Sequence, residues 1–398
     1  MVAIRPTLNT PRSTRSTDAK VNPKDERILV ATVDSYLLAL DARIGKLIPE
    51  FGNGGRIDLT LGLARPIERK RYTNTSPPVI SRDVVVIGSG ILDPMGPIAI
   101  TPPGDARGVD VRTGKQLWVF HSVPERGEAG NETWLRDSWK SPRGVSAWAP
   151  LSADEELGYV YLPFSAPSND YYGGDRPGDN LFGDSIVCLN AKTGQRVWHF
   201  QTAHHGLWDY DPPAAPALVD ITVDGRQIKA LAQVTKQGFC FVLDRATGKP
   251  VWPVPSVTRP TVMTLYEKDD PRFKGSSITT DTYSGDVSLL LGPEGLPLFK
   301  PPFGRITAIN LRTGDHAWTV ASGERPRDHP LLKDLKLAKL GWPLRTFVLL
   351  TKSLLITSQE GPQRPSTLQQ PPYRSGQHGS GREASRLRQT HWRTACRG

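Results

Sequence analysis

The side chains that could do chemistry concentrate between residues 204 and 236. His204-His205-x-x-Trp208-Asp209-x-Asp211 places two imidazoles, an indole and two carboxylates together, and Lys236 follows. Carboxylates and imidazoles move protons, and an ammonium stabilises negative charge that develops beside it. Each residue also has a plainer reading. Asp209 could cap a turn before Pro212-Pro213, Asp211 could brace that loop, and Lys236 could be a surface lysine. The histidine pair could be hydrogen-bonding scaffold or could face a substrate.

Two copies of one turn signal bracket this cluster: Asn190-x-x-Thr193-Gly194-x-x-x-Trp198 and Asp244-x-x-Thr247-Gly248-x-x-x-Trp252. Further copies are Asp41 to Gly45, Asp110 to Trp118 and Asn310 to Trp318, and the first carries Pro49 in place of tryptophan. In such a turn the Asp or Asn side chain accepts from backbone N–H groups, and glycine supplies the residue with φ > 0. The next strand then carries the tryptophan towards a neighbouring repeat. Strand-like runs at Ile28–Leu40, Ser185–Leu189, Phe239–Leu243 and Arg305–Ile309 precede the signals. Other runs lie at Val84–Gly88, Gly158–Pro163 and Phe347–Ser358. Repeated strand, turn and tryptophan predict an all-β chain, a β-propeller of four-stranded blades.

Composition agrees. The 398 residues include 37 glycines and 36 prolines but 3 methionines, which favours short strands joined by turns. No apolar run approaches the length of a membrane-spanning helix. The formal charge is +10, but the seven arginines and single acid of residues 361–398 account for +6 of it. The body is therefore near neutral, and no nucleic-acid surface is expected. Cys188, Cys240 and Cys396 form no metal-type cluster, and the first two read as buried thiols. The N-terminus has no apolar stretch of the signal-peptide kind. The expected organisation is a disordered segment 1–23, a propeller over 24–360 that is irregular at 254–300, and an Arg-rich disordered tail 361–398.

HHGLWDYDPPAAPALVDI (204–221), taken with the TGxxxW repeats, resembles the pyrroloquinoline-quinone (PQQ) dehydrogenases, and the quinoprotein glucose dehydrogenase branch most. Methanol and alcohol dehydrogenases are more distantly similar. Supporting phrases are TSPPVI (75–80), NETW (131–134), AWAP (147–150), YVYLP (159–163), RPGDNLF (176–182), VTKQGF (234–239) and LPLFKPPFGRITAINLRTG (296–314).

The resemblance implies an eight-bladed propeller, with PQQ in its central funnel and Ca²⁺ or Mg²⁺ between quinone and protein. It implies oxidation of a sugar or alcohol, with electrons passed to a quinone or cytochrome, in the periplasm. Asp209 matches the general base and a metal-site carboxylate, Lys236 the cation beside the quinone oxygens, and Trp148 the indole beneath the cofactor. Thr75 and Ser146 match cofactor contacts. Asp93 matches another metal ligand, and Asn169 or Ser168 the third. The polar loop Asn169–Asp179 would shape the funnel mouth.

The chain also departs from the family pattern. The opening blade is missing, about a blade's worth is missing between Trp252 and Leu296, and the tail reads like a shifted reading frame. An incomplete propeller is therefore expected. Two readings compete with the dehydrogenase: a propeller of PQQ-like repeats that holds no cofactor and binds proteins, and an inactive fragment of the enzyme.

Overall fold

A computed structural model describes residues 26–91, 101–141, 143–253, 296, 301–323, 326–327, 329–341 and 355–358. It also gives the backbone of the strands at 262–267, 282–288, 346–350, 354–359 and 384–388. The chain divides into two compact units, 1–287 and 288–398. The division falls within the stretch 254–300 that the sequence sets apart.

The first unit is a succession of antiparallel sheets. β1 (Arg27–Ala31), β2 (Tyr36–Asp41) and β3 (Arg56–Asp58) form the first. The run Ile28–Leu40 is thus a hairpin, turned at Thr32–Ser35, rather than one strand. β4 (Tyr72–Thr73) pairs with β7 (Gly90–Ile91), while β5 (Val79–Ser81), β6 (Val84–Ile87), β8 (Ala106–Asp110) and β9 (Gln116–Phe120) make a four-stranded sheet. The next four-stranded sheet is β10 (Ser152–Asp154), β11 (Tyr159–Pro163), β12 (Ser185–Asn190) and β13 (Arg196–Gln201). Three strands follow: β14 (Ala217–Val223), β15 (Arg226–Val234) and β16 (Cys240–Asp244). Within 254–300, β17 (Val262–Glu267) and β18 (Thr282–Ser288) form a two-stranded sheet, short of a full blade.

The repeated turns behave as their residues dictate. Asp110 Oδ1 accepts from the Thr113 amide at 2.7 Å, and Asn190 Oδ1 accepts from the Lys192 and Thr193 amides at 3.0 and 3.2 Å. Gly114, Gly194 and Gly248 have φ of 72°, 72° and 74°, a region glycine enters at no steric cost. In three hairpins the register shifts at one place relative to the turn: Gly108/Val109, Cys188/Leu189 and Ala308/Ile309.

Two tryptophans each fasten one sheet to the next. Trp118 Nε1 donates to the carbonyl of Ala191 at 2.9 Å, and Trp198 Nε1 to that of Arg245 at 3.0 Å. Each ring lies over the glycine of the following turn: a Cβ on Gly194 would strike Trp118, and one on Gly248 would strike Trp198. The first sheet, with Pro49 at the tryptophan position, docks through backbone instead. Gly52 N donates to Thr113 O at 2.8 Å, and Ile57 packs on Gly114. The largest apolar cluster joins Val84, Val86 and Trp118 to Val160, Leu162, Phe164, Val187 and Leu189 between the two four-stranded sheets.

In the second unit, β19 (Arg305–Ile309) pairs with β20 (His316–Ala321). β21 (Thr346–Leu350), β22 (Leu354–Gln359) and β23 (Ala384–Arg388) form a three-stranded sheet. The run Phe347–Ser358 is therefore a hairpin. β23 falls within 361–398 and pairs through backbone groups with the edge of β22; the rest of that segment lies outside the described residues. Among the described residues no helix is long and apolar enough to cross a membrane. Among the described residues the chain is all-β, with two sheets of four strands and the others shorter.

Candidate active site

Antiparallel alternation puts two kinds of connection at one end of the sheets: those from a fourth strand to the next first strand, and those from second to third. The candidate residues fall in these connections. Thr75 precedes β5, Trp148 precedes β10, and Asp209 and Asp211 lie between β13 and β14. Asn169 lies between β11 and β12, and Lys236 between β15 and β16. The Thr-Gly turns join third to fourth strands and so lie at the opposite end. Turn chemistry and candidate chemistry are separated by the length of a strand.

At this end Lys236 brings two carboxylates together. Its Nζ lies 2.7 Å from Asp209 Oδ1 and also pairs with Asp211 Oδ1. The same ammonium sits 5.6 Å from the centroid of the Trp148 ring. The Trp148 indole N–H donates to Asp211 Oδ2, and its backbone carbonyl accepts from Thr75 Oγ1 at 2.9 Å and Ser76 Oγ at 2.6 Å. Trp148 is thereby held at both ends with its ring partly exposed. Asp209 Oδ2 accepts from the Tyr171 hydroxyl at 3.3 Å.

The two carboxylates differ in environment. The Asp211 side chain is 2% exposed and that of Asp209 is 31% exposed. Burial pushes the Asp211 carboxyl up to about 7, against the pull of Lys236 and with a further push from Asp209. Burial disfavours the Lys236 ammonium, but Asp211 and Asp209 outweigh it and raise its pKa. Asp211 therefore braces the loop while Asp209 faces outward. Backbone strain accompanies this: His205 and Asp209 have φ of 46° and 52°, in the left-handed region.

The remaining candidates are placed less centrally. Ser146 is buried, and its hydroxyl lies 3.4 Å from that of Ser165. Ser168 is buried and donates to Gly144 O at 3.1 Å, whereas Asn169 is partly exposed, with Oδ1 accepting from the Tyr171 amide at 3.1 Å. Tyr171 thus links Asn169 to Asp209. His205 Nδ1 is 2.8 Å from Gly178 O, and exposed His204 faces Asp179 at 3.7 Å. Both histidines contact the polar loop. Asp93 lies outside the described residues. Among those residues no group of three His, Cys, Asp or Glu side chains is placed to hold a metal.

Four contributors went unread in the sequence: Ser76, the hydroxyl of Tyr171, and the buried Arg176 and Asp184 behind the loop. Tyr171 sits in a loop marked as polar, but nothing in residue spacing pairs it with Asp209 across 38 positions.

The arrangement suits a flat, anionic, aromatic ligand. It offers an indole face, an ammonium over that face and hydroxyls at its edge. Asp209 and Asn169 offer oxygen donors of the kind a hard cation takes.

The family profile described as "PQQ: Glucose/ethanol/alcohol dehydrogenase, beta-propeller domain" matches residues 8–271 and 258–366. That is most of the chain, and the chain belongs to this family. The quinoprotein glucose dehydrogenase of Gluconobacter oxydans (strain 621H) is 38% identical over 256 residues, which are 63% of this chain and 31% of the relative. The quinate/shikimate dehydrogenase (quinone) of Acinetobacter baylyi is 36% identical over 230 residues, 56% of this chain and 27% of the relative. The chain spans about a third of the length of the curated relatives it matches. The solved quinohemoprotein alcohol dehydrogenase from Comamonas testosteroni superposes with a TM-score of 0.58 at 20% identity, over 84% of this chain and 56% of that one. This shows a shared fold.

Proposed function

We propose that this chain carries a catalytic face for PQQ-dependent oxidation of a sugar or alcohol CH–OH group. The observation that carries the reading is the bridging of Asp209 and Asp211 by Lys236 over the face of Trp148.

Trp148 would be the floor for PQQ, with Lys236 beside the quinone oxygens and Thr75 at the edge. Asp209 and Asn169, with Asp93, would hold Ca²⁺ or Mg²⁺. PQQ supplies, when bound, the two-electron oxidant that receives hydride from the substrate carbon. Asp209 takes the hydroxyl proton. It is the more exposed of the two carboxylates, and the Lys236 ammonium holds its Oδ1 at 2.7 Å. Lys236 also offers fixed positive charge where negative charge develops, without reorganisation during the reaction. Asp211, buried and bonded to Trp148 and Lys236, keeps floor and cation in register. Electrons would leave to a quinone or cytochrome, and the setting would be periplasmic.

Equilibrium binding of PQQ in the presence of Ca²⁺ or Mg²⁺ tests this reading. Saturable binding that weakens in Trp148→Ala supports it. A folded chain that binds no PQQ removes it and favours a protein-binding propeller.

A further inference from the structure

Asp184 stands just before β12 and is absent from the proposed chemistry. Its side chain is 0% exposed, and neither carboxylate oxygen has a hydrogen-bond partner. Only its backbone is engaged: the amide donates to Ser165 O at 2.9 Å, and the carbonyl accepts from Thr202 N at 2.7 Å. Its φ is 49°, so the backbone accepts strain to aim the side chain inward.

The carboxyl is aimed at Gly206. The three atoms nearest to a Cβ built on Gly206 are Asp184 Oδ2, Cγ and Oδ1, the first so close that a side chain there would have to displace the carboxyl. Gly206 is buried and stands three residues before Asp209. Its carbonyl is held from another direction by Arg176, likewise 0% exposed, whose Nη2 donates to Gly206 O at 2.7 Å. Arg176 also donates through Nη1 to Asn180 Oδ1 at 2.8 Å and through Nη2 to Asn169 O at 3.2 Å. One buried guanidinium therefore ties the segment of Asp209 to the loop of Asn169.

We propose that Asp184 is a positioning residue: its carboxyl fills the place of the side chain that Gly206 lacks and, with Arg176, sets the segment His205–Asp211 that carries Asp209. The inference rests on the reading of Asp209 and Lys236 given above. An ionised carboxylate without donors is costly to bury, so Asp184 acts here through its shape as the neutral acid. Burial, reinforced by the charge of Asp211, holds its pKa well above the ordinary carboxylate range. Shape without charge is what asparagine reproduces.

The test is hydrogen exchange of the chain without cofactor, read separately in peptides 203–212 and 185–201. Asp184→Ala is expected to speed exchange in 203–212 by about tenfold, with β12 and β13 unchanged. Asp184→Asn is expected to stay within about twofold of the parent, and Gly206→Ala, which pushes on the carboxyl, to resemble Asp184→Ala. The double variant Asp184→Ser/Gly206→Ala is expected to recover protection, because the smaller residue makes room for the new methyl. Unchanged exchange at 203–212 in folded Asp184→Ala overturns the proposal. So do simply additive effects in the double variant, or Asp184→Asn behaving as Asp184→Ala. If Asp184→Ala does not fold, the asparagine and Gly206 variants decide alone. The readout needs no cofactor, so failure to bind PQQ would sink the proposed function and leave this result standing.

Discussion

Lys236 reaches back 27 positions to hold Asp209 Oδ1 at 2.7 Å, and the same nitrogen neutralises the buried Asp211. One ammonium and two carboxyl groups thus share one site.

Lys236→Ala leaves Asp211 buried without its cation. Denaturant midpoints at neutral pH are expected to fall by an amount equivalent to about 1–3 kcal/mol, the cost of an unsatisfied buried acceptor. Dehydrogenase activity is expected to fall by about 10²–10³, the loss typical when a preorganised charge stabiliser is removed. Lys236→Arg should not restore it, because a planar fork cannot occupy the point between two carboxylates as an ammonium does.

Asp211 gives the fold a pH dependence of defined sign. Its folded pKa is raised from 3.8 to about 7, so the folded state holds a proton that the unfolded chain releases in this window. Its contribution to stability is present below the unfolded value and is lost as pH rises towards the folded one. Asp184, also raised by burial, acts in the same direction. Urea denaturation across this window should show Asp211→Asn losing less stability with rising pH than the parent. Equal slopes would contradict the assignment.

Tyr171 is expected to orient Asp209. Tyr171→Phe removes the hydroxyl 3.3 Å from Asp209 Oδ2 and leaves the ring. A loss of about tenfold in kcat/KM, smaller than that of Lys236→Ala, is expected from one hydrogen bond to a charged group. Steady-state kinetics with both variants measure the order.

The blades have their own test. Trp118→Ala should cost about 3–5 kcal/mol, as large aromatic truncations in cores do, while Trp118→Phe should cost about 1 kcal/mol through the bond to Ala191. Denaturant titration of the two variants separates packing from hydrogen bonding.

The blade turns were legible because Asp or Asn, Thr-Gly and Trp each do one local job at fixed spacing. Pro49 broke that pattern, and Gly52 shows why it could: backbone pairing to Thr113 replaces the tryptophan without a sequence signature. Asp209 and Lys236 were candidates through the resemblance, and the fold brings their side chains to 2.7 Å. Asp184 was not, because its partner is the absence of a side chain at Gly206, and burial is a property of the folded chain.

The most direct measurement is dye reduction by the purified chain with PQQ, Ca²⁺ or Mg²⁺, and glucose or a short alcohol, compared with Asp209→Asn. That change keeps the shape of residue 209 and removes its basicity. The expected result is substrate-dependent reduction by the parent and a loss of about 10²-fold or more in the variant, the scale of a missing general base. Equal rates in the two proteins would contradict the assignment of Asp209 and, with it, the proposed active site.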